Sequence, residues 1–465
     1  MKRSLIKIFL LAALAGAAAA FSPGGVFVLV LLAVTCMALH RWVRPPDRGF
    51  VIRLFLVGFV IRAVLSLGLD LGSYLKEGCA PSRRAPPEYW NLGIVDKTRN
   101  YIRMGDSDYY SQRGYCLSEF VKGNSEAVVL RRIQEYGYNS YVLLIGWFYY
   151  LFGFSPISVK LFNCWIGSLH LVALFFLARS CFQPTIARWA SGLAFLFPTL
   201  VLWSASNLKE PFLFLLITLF FLLFRTAQKE RPLRSRVLCA GVLTAMYFIL
   251  FSAGRQEFFL AMAGCLLLVC WAQWCLRKRW YAALLLTAAA FFLPAAQAKT
   301  GEAIYYAVYR HMGYVQGGGM VYRYLPDPMY IKPGSMEWTP FTESTLPMVV
   351  LRSPVAVLQF LLQPVPARTG EWFTVLLAPQ MLVWYFLLPL ALIGMGAAVW
   401  WNSRGSVFLV VTVSAWILMS ALSNANIGTT IRIRDMMTPI LLIFSAAGLW
   451  ALARGRAGFS GEVIS

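Results

Sequence analysis

The sequence predicts an all-α, polytopic transmembrane helical bundle of about 12 spans, with interfacial helices and two large non-cytoplasmic loops. Three observations carry that expectation. First, hydrophobic residues make up 59% of the chain and charged residues 13%, and mean hydropathy is +0.64. Soluble domains carry about a quarter charged residues and cannot hide so much apolar surface. Second, predominantly apolar windows of about 20 residues, the length that crosses a bilayer, recur along almost the whole chain and are interrupted by two long polar stretches, 72–156 and 299–373. Third, basic residues gather in short turns between the windows, so the net charge of +22 reads as an orientation signal rather than as a nucleic-acid footprint.

In chain order the spans are expected at 5–21, 25–40, 51–71, 157–178, 189–205, 211–225, 237–253, 258–276, 281–298, 376–400, 406–423 and 436–453. The first window follows Lys2, Arg3 and Lys7 and ends in Ala17 to Ala20, which also fits a cleavable signal peptide. Either way Ser22 to Gly25 lie outside. Counting from a cytoplasmic N-terminus, the inner turns hold Arg41, Arg44 and Arg48, then Arg179 and Arg188, then Arg225 to Arg236, then Arg277 to Arg279, then Arg404, and finally Arg454 and Arg456. Segment 139–152 is apolar and aromatic but too short to cross, and counting it as a span would move Arg225 to Arg236 outside; it is therefore expected to lie at the interface. Ser353-Pro354 resembles a helix start, and 354–363 is again too short, so a second interfacial helix is expected to close the later loop. These expectations divide the chain into an N-terminal segment 1–50, a core 51–298 that includes the first outer loop 72–156, a second outer loop 299–373, and C-terminal spans 374–465.

The nine cysteines show no paired ligand spacing. Cys79 and Cys116 share the first polar loop and are suited to a disulfide if that loop meets an oxidising compartment. His40, His170 and His311 have no second histidine at ligand spacing, so no zinc site is expected. Arg62, in the middle of 51–71, must face protein or water; an ion pair or hydrogen bonds inside the bundle are favoured over phosphate binding.

Outer span ends carry charges that orientation does not require: Lys209 and Glu210, Arg255 and Glu257, and Arg432 and Arg434. Any one of these reads equally well as a snorkelling or paired side chain. Three such turns together suit an anionic headgroup, since guanidinium groups donate paired hydrogen bonds to phosphate. In the first loop stands Gly105-Asp106-Ser107-Asp108-Tyr109-Tyr110. Two carboxylates one residue apart can supply a general base or hold a divalent cation, and the tyrosines can rest on a sugar ring. Acidic pairs in loops more often only solvate a turn. Gly317-Gly318-Gly319 lacks a flanking strand and helix, so it reads as a flexible loop rather than a phosphate cradle.

Taken in order, these residues resemble the GT-C superfamily of membrane glycosyltransferases, in the branch of the protein O-mannosyltransferases and the aminoarabinose transferase. The resemblance runs over about 51–453. It rests on Asp106-Ser107-Asp108-Tyr109-Tyr110, Gly137-Tyr138-Asn139, Leu151-Phe152-Gly153-Phe154-Ser155, Val159-Lys160-Leu161-Phe162-Asn163, Phe197-Pro198, Asn207-Leu208-Lys209-Glu210-Pro211 and Arg432-Ile433-Arg434 before Pro439. Two departures stand out: the family's adjacent acidic pair is here split by Ser107, and the two spans before residue 51 are additional.

The resemblance implies an inverting transfer of sugar from a polyprenyl-phosphate donor to an acceptor hydroxyl, at the non-cytoplasmic face of what is expected to be a bacterial inner membrane. Asp106 matches the catalytic base best, with Asp108 as the fallback or as a helper. Lys209, Arg255, Arg432 and Arg434 would receive the donor phosphate, with Tyr109, Tyr110, Glu210 and Glu257 in support. No cofactor is implied beyond a possible divalent metal on Asp106 and Asp108. The acceptor would be a glycan, lipid or protein, with membrane lipid around it and no nucleic acid. A transporter or flippase is the competing expectation, but it should show internal duplication and mid-membrane charges. An O-antigen-type polymerase or ligase should lack the early Asp-x-Asp loop followed by an interfacial helix.

Overall fold

A computed structural model of the chain describes residues 23–77, 107–124, 139–227, 233–253, 345–363, 372–401, 406–423 and 427–454. Among the described residues every regular element is helical and none is a strand. Six helices are long and apolar enough to cross a bilayer, and a seventh span results if one bent pair is counted together. The described residues are thus those of a helical integral membrane protein. The expected spans 5–21, 258–276 and 281–298 lie outside the described residues.

The described helices fall into two compact units. The first holds α1 (Pro23–Trp42), α2 (Pro45–Glu77), α3 (Ser107–Val121), α4 (Ser140–Phe152), α5 (Pro156–Cys181), α6 (Pro184–Leu196), α7 (Pro198–Ser204), α8 (Glu210–Ala227) and α9 (Leu233–Ala253). Four of the starts are prolines placed where the missing N–H costs nothing and φ is already helical, at Pro23, Pro45, Pro156 and Pro184. A fifth, Pro198, acts differently. Phe197 before it is held extended (φ −74°, ψ 112°), as the residue before a proline prefers, and the chain turns by 64° between α6 and α7. The expected continuous span 189–205 is therefore two helices with a proline bend.

Helix α5 is the axis of this unit, with α1, α2, α6 and α8 packed around it. Small residues set the spacing: a Cβ on Gly167 would run into the Ser204 side chain and crowd Arg62. Arg62 faces protein, as a mid-span charge must. It is 1% exposed; its Nε donates to Ser204 Oγ at 2.8 Å and one terminal nitrogen to Gly58 O at 3.0 Å. This is the structural role favoured for it from sequence.

The second unit holds α10 (Thr345–Leu362), α11 (Trp372–Trp400), α12 (Val407–Ser423) and α13 (Ile427–Arg454). Here two boundaries differ from expectation. Pro354 does not start a helix but lies inside α10, since one internal proline forfeits a hydrogen bond and bends a helix without having to end it. The last helix begins at Ile427 rather than 436, so Arg432 and Arg434 sit within its first turns instead of ahead of it. Helices α11 and α13 touch backbone to backbone: a Cβ on Gly394 would overlap the Phe444 carbonyl, and one on Gly448 the Leu390 carbonyl. Ser445 Oγ donates across this seam to Leu387 O at 2.9 Å. Such small-residue contact is how helices associate where lipid supplies no hydrophobic drive.

Candidate functional site

The most concentrated polar chemistry among the described residues lies where α3, α4, the start of α5 and the turn between α7 and α8 meet. Helix α4 is fixed first. Asn139 caps it by accepting the Tyr141 N–H, while its amide donates to Ala253 O at 3.3 Å and Ser140 Oγ donates to Ile249 O at 2.9 Å, tying α4 to the end of α9. Gly153, at φ +80°, ends the helix in a conformation side chains rarely adopt. Helix α3 then lies against α4 through two glycines, since a Cβ on Gly114 would strike Ile145 and one on Gly146 would strike Leu117.

Inside this frame runs a directional chain of hydrogen bonds. Asn163 donates from its amide to the Tyr141 hydroxyl at 2.7 Å, Ser206 O at 2.8 Å and Leu208 O at 2.9 Å. Two hydrogens thus serve three acceptors. The Tyr141 hydroxyl passes the chain on, donating to Asn207 Oδ1 at 2.8 Å, and the Asn207 amide donates to Ser111 Oγ. Four separate stretches of sequence are joined by groups that polarise one another in a dry interior. Burial pushes the Tyr141 phenol well above its ordinary value; the Asn163 hydrogen bond opposes this, and nearby Tyr149 and Glu210 add to it. Tyr141 is accordingly a permanent donor near neutral pH.

Around the chain stand the charged residues. Glu210, the first residue of α8, is 2% exposed, and Lys160, in the first turns of α5, is 5% exposed. Lys209 precedes Glu210 in the same turn and is half-buried. Charges held at such low exposure imply an environment arranged for them rather than solvation.

The predicted site residues are distributed as follows. Asp106 lies outside the described residues, one position before α3, and Asp108 is placed in the first turn of α3 by its backbone. Tyr109 is exposed and carries the Arg113 guanidinium over its ring, 3.1 Å from the centroid. Tyr110 is buried edge-on against Tyr141, with ring centroids 5.4 Å apart. The structure therefore brings Tyr110 and Glu210 to one cluster around Tyr141, with Lys209 next to Glu210 in the chain. Arg255 and Glu257 lie outside the described residues.

Arg432 and Arg434 belong to the second unit, the former half-buried. Arg434 is 1% exposed. Its guanidinium donates to Gln363 O at 2.6 Å and Leu361 O at 3.3 Å and sits over the Trp384 ring, with Cζ 5.1 Å from the centroid. Trp384 Nε1 and the Tyr385 hydroxyl donate to Leu361 O and Leu362 O, each at 2.7 Å. These groups together close the carbonyl end of α10. Among the described residues no three His, Cys, Asp or Glu side chains converge as a metal site.

Sequence reasoning did not single out Tyr141, Ser111 or Asn207 as organisers of the site, and it treated Asn163 only as part of a motif. The available signal was an amide inside an otherwise apolar span, a costly placement unless every donor is used. Comparison with protein-family models, curated proteins and solved structures finds no match to this chain.

Proposed function

We propose that the chain is a membrane glycosyltransferase of GT-C type that moves a sugar from a polyprenyl-phosphate donor to an acceptor hydroxyl. The observation that carries this reading is the anchoring of α3. This helix begins at the residue after Asp106 and includes Asp108 in its first turn. It is bound to the α7–α8 turn through Ser111 and Asn207 and to α4 through Tyr110 and Tyr141. Helix α3 is thereby tied to the turn that carries Lys209 and Glu210. A polyprenyl tail would run along the lipid-facing spans with its sugar phosphate at their outer ends.

In this chemistry the Asp106 carboxylate takes the proton of the acceptor hydroxyl, and the oxygen attacks the anomeric carbon from the face opposite the phosphate. The bond from the anomeric carbon to the phosphate oxygen breaks, and polyprenyl phosphate leaves with the bonding pair. Lys209 would stabilise the charge growing on that leaving group. A divalent ion, if one is used, would be held by Asp106 and Asp108. Hydroxyl-bearing envelope glycans, lipids or proteins are the acceptors, and the non-cytoplasmic face of the membrane is the place of reaction.

The test is transfer of labelled sugar from polyprenyl-phosphate hexoses and pentoses to envelope acceptors by the full-length protein in lipid nanodiscs. Asp106→Asn should lower turnover at least a thousandfold with donor binding retained, while Asp108→Asn should have a smaller effect. Full activity in both variants would reject the assignment of the base.

A further inference from the structure

The far end of the first unit carries a second polar cluster that the reading above does not use. From Asn163 to Arg179 the axis of α5 runs about 24 Å, at 1.5 Å per residue, most of a hydrocarbon core. Arg179 lies in the last turn of α5, Arg188 near the start of α6 and Arg225 in the last turn of α8. Asp47, in the first turn of α2, takes a terminal nitrogen of Arg188 at 2.8 Å, and its other oxygen stands 4.0 Å from Arg179 Nε. The same Arg188 nitrogen lies 3.1 Å from Pro46 O. Arg225 reaches the side chain of Cys181, which sets its guanidinium at the α5 terminus as well.

Orientation in the bilayer explains why arginines stand at this end, but it does not explain their state. A topology signal is satisfied by a guanidinium in water. Here Arg179 Nε and one of its terminal nitrogens, Arg188 Nε, Arg225 Nε and Gln183 Nε2 are withdrawn from solvent with no hydrogen-bond acceptor among the described residues. Nor are the arginines simply closing helix carbonyl ends, since that role would pair the same nitrogens. One carboxylate is shared by two of the cations, and the third adds charge without an acid partner in the described ion pairs. The Arg188 side chain is 41% exposed and that of Arg179 19%, so the cluster is open to a ligand from one side.

Converging, unfilled guanidinium and amide donors with surplus positive charge fit the oxygens of a phosphate group. Their depth, at the ends of apolar helices and on the side that basic turns assign to the cytoplasm, matches the headgroup layer. We propose that Arg179, Gln183, Arg188 and Arg225 form a binding site for a phosphate-bearing anion, supplied either by an anionic phospholipid headgroup or as free phosphate. The site is separate from the amide–hydroxyl cluster and does not depend on the glycosyltransferase reading.

Native mass spectrometry of the full-length protein tests this with three probes: phosphatidylglycerol, phosphatidylcholine and inorganic phosphate. The wild type should retain phosphatidylglycerol at least tenfold better than phosphatidylcholine. Arg179→Gln combined with Arg225→Gln, which leaves the Asp47–Arg188 pair intact, should abolish the preference. If inorganic phosphate binds the wild type and displaces phosphatidylglycerol, and the double variant binds neither, free phosphate is a true occupant of the same site. Gln183→Leu and Arg225→Lys, which keep the net charge, should each lower retention about threefold and serve if the double variant does not fold. No preference in the wild type for either phosphate source, or one unchanged in all these variants, overturns the proposal.

Discussion

Asn163 shows how much a single side chain can hold in this protein. It serves a phenol and two carbonyls that have left regular helix pairing, and it does so without solvent to replace it. Asn163→Leu keeps the number of side-chain heavy atoms and leaves three buried acceptors unmet, each worth about 1 kcal/mol or more. The expected result is a loss of about 3 kcal/mol, read as a lower unfolding temperature in nanodiscs, together with loss of sugar transfer. Tyr141→Phe keeps the ring against Tyr110 and removes only the hydroxyl, so about 1–2 kcal/mol should be lost. An unaltered unfolding temperature in both variants would show that the hydrogen-bond chain does not bind the four segments together. The amide was visible in the sequence as an oddity inside an apolar span. Its partners were not, because Ser206 and Leu208 contribute backbone carbonyls, which any residue supplies.

At the scale of elements, glycine placement separates contact from mere composition. Gly394 and Gly396 both lie in α11, two residues apart and therefore on different faces of the helix. A Cβ at Gly394 meets the Phe444 carbonyl, whereas one at Gly396 meets nothing within 4 Å. Gly394→Ala should thus destabilise by about 1–3 kcal/mol through overpacking, and Gly396→Ala should stabilise by up to about 1 kcal/mol through the ordinary helix preference of alanine. Equal effects on thermal unfolding would contradict the α11–α13 seam. Element boundaries were harder to read from sequence than element existence. Proline is ambiguous: Pro156 and Pro184 open helices, Pro198 bends the chain sharply, and Pro354, Pro389 and Pro439 lie inside helices. Which outcome follows depends on the packing of the freed carbonyl, and hydropathy does not report packing. The start of α13 was obscured for a related reason, since buried Arg434 and Asp435 belong to the helix but look like a polar turn.

For the whole molecule, composition alone was enough to announce a helical membrane protein, because apolar windows of spanning length leave few other folds open. Sidedness rests on the basic turns, and it makes a direct prediction. In a background without reactive cysteines, Lys122→Cys at the exposed end of α3 should react with an impermeant thiol reagent from the non-cytoplasmic side. Arg454→Cys at the end of α13 should react only after the membrane is opened. The reverse pattern would place the acidic segment in the cytoplasm and exclude the proposed donor geometry. From sequence the proposed site was an acidic segment, a short apolar helix and a Lys209–Glu210 turn, and the last two are formed as α4 and the start of α8. What the pattern did not reveal was the uncharged scaffold joining them, whose members are common residues brought together only by folding. The central claim proposed is a single displacement at an anomeric carbon assisted by the Asp106 carboxylate, and the configuration of the product reports on it most directly. The purified protein should yield a glycoside of inverted anomeric configuration from a polyprenyl-phosphate sugar, read by NMR. A product of retained configuration, or no product from any such donor, would contradict the account.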